Sequence, residues 1–198
     1  MPYSAAFTTG ALMREETLRI VRQLEDSSLD NIDPDALRAN AAKSRRTKTY
    51  EIAKRLRSAP RVVWADLEEL SPGQQHIVLY YCCMSAYRLV FDFQMELVLQ
   101  RWRSLEHALT AYDVQRFLEK RATEHPEIDD WTESTRAKVE NVLLLMLKEV
   151  GILEGERLTA VDAPDSFWQR FLPTGDVWFL EAMLLSQPRR GTIINQTV

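Results

Sequence analysis

Apolar residues recur at helical spacing along most of this chain, and the elements they outline are short amphipathic helices separated by polar turns. Leu12, Ile20 and Leu24 share one side of a wheel, and Glu15 and Glu16 fall where a first turn favours acids, which predicts a helix over Leu12–Leu24. The polar stretch Glu25–Asn31 then reads as a loop. Asp33 followed by Pro34 is a cap residue and then proline at the first helical position, so a short second helix is expected from Pro34 to Ala42. The next segment, KSRRTKTYEIAKRLRSAP, offers Ser44 or Thr47 as a cap for a helix that stops near Ser58, ahead of Pro60. On that helix Thr49, Ile52, Ala53 and Leu56 form an inward stripe, Lys48, Glu51, Lys54 and Arg55 are expected opposite, and Arg57 flanks them. A short helix, a tight polar turn and a second helix with a basic outer face is the order of a helix-turn-helix.

Farther along, Ser71-Pro72 repeats the cap-then-proline signature, and the apolar density from Ile77 to Leu99 predicts one long central helix or a broken pair. Tyr80, Tyr81, Tyr87, Phe91, Phe93 and Trp102 lie here at helical spacing, which favours packing in the core over lining a ligand pocket or stacking bases. Thr110 opens a helix to about Ala122, ended by His125-Pro126. Thr132 or Ser134 caps a long helix through Val150, with Gly151 as its stop, Val139, Val142, Leu143, Met146 and Val150 inward, and Ser134, Lys138, Asn141 and Lys148 outward. Two short apolar runs around Glu154-Gly155-Glu156 then read as a small β-hairpin, completing the order of a winged helix. Two short helices carrying Phe167, Trp168, Phe171, Trp178, Phe179 and Leu180 follow, and QPRRGTIINQTV reads as a frayed tail. The expected fold is therefore all-α, a compact multi-helix globule with two helix-turn-helix-like units, the second followed by a small hairpin wing. Two tightly packed helical lobes are expected, an N-terminal one over residues 1–61 with the basic helix-turn-helix and a central and C-terminal one over residues 62–198 with the winged-helix-like unit, or a single domain that joins them.

Composition changes this picture little; the distribution of charge changes it more. Of 198 residues, 45% are hydrophobic and 27% charged, and the net charge is −4. Residues 1–61 hold 12 Lys/Arg against 8 Asp/Glu, whereas residues 62–198 hold 13 against 21. Between positions 38 and 61 stand Arg38, Lys43, Arg45, Arg46, Lys48, Lys54, Arg55, Arg57 and Arg61 against the single acid Glu51. A local basic patch of this size suits a polyanion despite the acidic whole. The uncharged run Leu70–Tyr87 carries Ser71, Pro72, Gly73, Gln74, Gln75 and His76 in its first half, and the apolar remainder is too short for a bilayer core of ~30 Å. The opening MPYSAAFTTG has neither the basic nor the apolar region of a signal peptide, so a cytoplasmic protein without a membrane partner is expected.

Catalytic and metal-binding patterns are missing. There is no Gly-rich phosphate loop, no HExxH, no GxSxG and no Cys/His cluster. His76, His107 and His125 are scattered, and adjacent Cys82 and Cys83 read as small buried hydrophobes, not as a metal pair. Asp129, Asp130, Glu133 and Glu140 could gather a divalent ion, but acids are favoured at a helix start in any case. No catalytic residue, metal or cofactor is assigned, and a non-enzymatic protein is expected.

Four segments, YSAAFTTGALMREET, ANAAKSRRTKTYEIAKRLRS, YRLVFDFQMELVLQRW and HPEIDDWTESTRAKVENVLLLMLKEVGIL, span most of the chain in order and resemble the BrxA family of the bacteriophage exclusion (BREX) defence systems. The resemblance implies a monomeric, all-helical protein with two helix-turn-helix-like units, proposed to bind double-stranded DNA within a defence complex that also methylates host DNA. Carried onto this sequence it falls on Lys43 to Arg57 and Thr132 to Lys148, giving as candidate DNA contacts Lys43, Arg45, Arg46, Lys48, Lys54, Arg55, Arg57, Ser134, Thr135, Arg136 and Lys138. Two other readings stay open: the basic segment is a solvated helix face, or the protein is an adaptor that docks other BREX proteins through its acidic C-terminal part.

Overall fold

The computed structural model describes residues 2–24, 29, 32, 37 and 42–196. The loop read over Glu25–Asn31 and the helix read from Pro34 lie outside the described residues, single positions apart. Helix α1 (Arg14–Val21) runs on through a 3₁₀ turn to Leu24. Helix α2 (Ala42–Ser58) corrects the sequence reading, because the turn expected ahead of Thr47 is itself helical. The segment contains no Gly or Pro, and its Ala, Lys and Arg residues are strong helix formers. The Thr47 hydroxyl donates to the Lys43 carbonyl at 3.0 Å within the helix and caps nothing.

After α3 (Arg61–Trp64), α4 (Pro72–Ala86) starts at Ser71 with a reciprocal capping box to Gln74. The central region is the broken pair. Tyr87 adopts an extended conformation, and a second rod follows as α5 (Arg88–Asp92), a π-helical segment over Phe93–Val98 and α6 (Leu99–Arg103). Gln94 is fully buried in the π segment, accepting from the Tyr80 hydroxyl at 2.8 Å and donating to the Ala182 carbonyl. Thr110 and Asp113 form the box that opens α7 (Ala111–Ala122). The Thr132 hydroxyl accepts from the Thr135 amide at the start of α8 (Glu133–Val150), and Gly151, at φ +86°, ends it. Strands β1 (Leu153–Glu154) and β2 (Arg157–Leu158) pair antiparallel around Gly155 (φ +62°). The segment before α7 joins them: Leu109 donates to the Glu156 carbonyl at 2.8 Å and Leu158 to that of His107 at 2.7 Å.

Short helices α9 (Asp165–Trp168) and α10 (Trp178–Ala182) close the core, followed by α11 (Gln187–Asn195). This last helix overturns the frayed tail. Ile193 is buried, Arg189 reaches Asp165 at 3.0 Å, and Arg190 pairs with Glu181 at 2.8 Å, so two cations and one apolar residue hold the helix down. Side chains from Tyr3 to Ile193 form one hydrophobic cluster, which includes Tyr80, Tyr81, Tyr87, Phe93, Cys82 and Cys83. Burial pushes both thiols above their ordinary range. Among the described residues no helix is long and apolar enough to cross a membrane.

Two polar anchors fix the N-terminal segment to this core. The Tyr3 hydroxyl donates to buried Asp92 at 2.7 Å, and Arg121 donates to both, at 2.8 Å and 3.3 Å. Deeper inside, Arg55 of α2 donates to the carbonyls of Ala11, Gly10 (2.8 Å) and Phe7 (3.1 Å), while Tyr87 lies between it and Glu51 and donates to the Glu51 carboxylate. Arg55 is only 4% exposed. Removing a buried cation whose partners stay behind costs about 3–5 kcal/mol, so Arg55→Ala is expected to lower urea-unfolding stability by about that much, with Arg55→Lys recovering only part. Thr132→Ala, which removes only the α8 cap, is expected to cost about 1 kcal/mol, a Tm decrease of roughly 2–4 °C by calorimetry.

Candidate nucleic-acid interface

The outer face of α2 is set by which of its residues the core claims. Thr49, Ile52, Ala53 and Leu56 point inward as their spacing requires, and Glu51 and Arg55 point inward with them. Among what remains outside is a row at positions 43, 46, 47, 50, 54 and 57, with neighbours three or four residues apart and therefore on one side of the helix. It spans about 21 Å at 1.5 Å per residue. Lys43, Arg46, Thr47, Tyr50 and Arg57 are exposed and Lys54 is half-buried.

The cations of this row differ in how they are held. Among the described residues neither Lys43 nor Arg46 has an ion-pair partner. Lys54 places its ammonium 4.3 Å from the centre of the Tyr87 ring, a cation–π contact that fixes the stem. Arg57 donates through Nη2 to the Leu29 carbonyl at 2.8 Å and has a further partner, as Arg45 does. At the centre stands Tyr50, 63% exposed, an aromatic face between four positive charges. Tyr50 is not among the contacts expected from the sequence, although it stands seven residues from Lys43 and four from Lys54, the spacing of one helix face.

Three of the predicted contacts lie elsewhere. Lys48 pairs with Glu16 at 2.6 Å. Burial alone would raise the Glu16 carboxyl, but the hydrogen bond and charge of Lys48, with a backbone hydrogen bond, outweigh it and hold the group below the usual carboxylate range. Arg45 is half-buried and has a partner of its own. Arg55 is the clear correction: read as outward, it is an internal anchor, because the carbonyls of Phe7, Gly10 and Ala11, in and just after a 3₁₀ turn at Ala6–Thr9, offer its guanidinium acceptors that an apolar wheel cannot register.

The second candidate unit has another character. Between α7 and α8 the chain runs from Thr123 to Thr132 with a 3₁₀ turn at Pro126–Ile128, longer than a tight helix-turn-helix turn. On α8, Ser134, Lys138, Asn141, Leu145 and Lys148 are exposed along one face. Thr135 and Arg136 serve the helix start instead. The Thr135 hydroxyl lies 2.9 Å from that of Thr132, and Arg136 reaches Asp129 and the Ile128 carbonyl, each at 2.9 Å. Exposed Asp129, Asp130 and Glu133 surround the N-terminus of α8, and Glu154 and Glu156 occupy the hairpin tip. These carboxylates oppose phosphate at the places where a winged helix would offer it positive charge. Among the described residues no three His, Cys, Asp or Glu side chains gather as a metal site. His125 stacks on Tyr3 with centroids 3.6 Å apart, and His107 stacks on Trp102 at 4.4 Å.

The same architecture occurs in a solved structure, described as the crystal structure of an uncharacterized protein from Magnetospirillum magneticum. It is 19% identical, with a TM-score of 0.74 over 92% of this chain and 98% of that one, a likeness of fold. No curated protein matches the sequence. The family model BrxA matches residues 1–162, from the clamped N-terminal segment through α2 and α8 to just past the hairpin. The chain belongs to the BrxA family, and with it to the BREX systems of phage defence.

Proposed function

We propose that this protein is a non-enzymatic, DNA-binding component of its BREX system, acting in the cytoplasm as a monomer. It holds duplex DNA weakly and mainly through phosphates, with α2 as the contact element. The observation that carries this reading is the row Lys43, Arg46, Lys54 and Arg57 around exposed Tyr50, on a helix whose only acid, Glu51, is turned into the core. Phosphate contacts of this kind position a protein on a duplex without reading its sequence. Ser134 and Lys138 of α8 are exposed but sit beside carboxylates, and they are placed second.

A second reading, docking of other BREX proteins, is supported by a different surface. Leu105 (82% exposed) and Tyr112 (64% exposed) flank the 107–109 segment that pairs with the hairpin, next to the acidic tip at Glu154 and Glu156. An apolar pair rimmed by acids suits a basic protein partner. Partner subunits that co-purify after nuclease treatment, and are lost on Leu105→Asp, would mark this surface as the docking site.

Phosphate contacts from Lys43, Arg46 and Lys54 imply a slope of log affinity against log salt of about −3. Anisotropy titrations of a labelled duplex at several salt concentrations should give that slope, and Lys43→Glu with Arg46→Glu should abolish binding while leaving far-UV circular dichroism unchanged. A flat salt response, or undiminished binding by the double variant, would remove α2 as the contact. Because Glu16 stays ionised at neutral pH and occupies Lys48, Glu16→Gln is expected to free that ammonium and steepen the slope by about 1.

A further inference from the structure

The basic row on α2 leads into a cavity. Ser58, one turn beyond Lys54 and hydrogen-bonded to its carbonyl at 2.9 Å, lines a recess of about 450 Å³ between the end of α2, α4, α5 and the start of α10. Phe91 and Trp178 wall it, both half-buried, edge-to-face with ring centres 5.0 Å apart. Arg88 lies over the Phe91 ring at 5.3 Å. Its Nε is bound to Asp92, and its terminal amino groups have no partner among the described residues. Asp176 also lines the recess, accepting from the Tyr81 hydroxyl and from the Trp178 indole N–H at 2.7 Å, with acceptor capacity to spare on each oxygen.

Planar apolar walls, a cation with unused donors and a carboxylate with unused acceptors define the complement of a nucleotide. Its base would lie against the rings, its exocyclic amine would donate to Asp176, and its phosphate would meet Arg88. A purely apolar ligand would leave Arg88 and Asp176 unanswered, and Arg88 would repel an organic cation. We infer that the recess receives one unstacked, amine-bearing nucleobase from the DNA held on α2. This inference rests on the DNA-binding reading above.

Full-length protein would be titrated by anisotropy, at one salt concentration, with three duplexes: fully paired, carrying one bulged adenosine, and carrying one bulged abasic residue. Stacking one base on aromatic side chains is expected to favour the adenosine bulge by on the order of tenfold over the other two. Ser85→Phe, which fills the mouth of the recess from an exposed position on α4, should abolish that advantage and leave the paired duplex bound as before; Arg88→Ala should reduce it. Equal binding of adenosine and abasic bulges, or an advantage that survives Ser85→Phe, overturns the inference while DNA binding stands. Failure of all three duplexes to bind removes both.

Discussion

The buried guanidinium of Arg55 is the constraint on which the rest of the molecule turns. Taking a cation out of water is costly unless all sides of it are met. Here the carbonyls of Phe7, Gly10 and Ala11 meet it from the N-terminal segment, and Tyr87, itself bound to Glu51, meets it from the break between α4 and α5. One side chain thus ties together three parts of the chain distant in sequence. It also sets the rotation of α2 about its own axis. With Arg55 and Glu51 held inside, Lys43, Arg46, Tyr50, Lys54 and Arg57 have only the outer face to occupy.

A second anchor works in the same sense from the other end of the N-terminal segment. Asp92, 1% exposed, receives Tyr3, Arg88 and Arg121, which links residue 3 to α5 and α7. Arg88 carries consequences in both directions, since its Nε steadies Asp92 while its terminal groups remain available at the recess beside Phe91 and Trp178. The opening residues therefore act as a clasp across the helices, and the surface that faces DNA in the proposed function is held by interactions on the opposite side of α2.

Charge separates the two candidate units as firmly as packing joins them. The outer row of α2 carries no carboxylate, whereas the start of α8 and the hairpin tip carry five exposed acids, Asp129, Asp130, Glu133, Glu154 and Glu156. Fields of exposed groups fade within about 10 Å at 0.1 M salt, so a chain of net charge −4 can present a positive patch on one element while its acidic surfaces serve another partner.

The amino-acid sequence by itself determined the helical class, the caps at Ser71 and Thr110, the stop at Gly151, the hairpin and the family, and left the cap of α8 between Thr132 and Ser134. Each depends on residues within a turn of one another or on the order of whole segments. Only the tertiary structure decided that Arg55 is internal, that Lys48 is spent on Glu16, that Tyr50 centres the basic row, and that Gln187–Asn195 is helical. For Arg55 and Lys48 the deciding partner lies far away in the chain, the carbonyls near residue 10 and the Glu16 carboxylate; the last helix is held by Asp165 and Glu181, outside its own segment; and Tyr50 faces outward because Arg55 and Glu51 turn inward. A helical wheel ranks side chains by polarity against water, and it cannot register that a buried acceptor elsewhere replaces the water an arginine would lose.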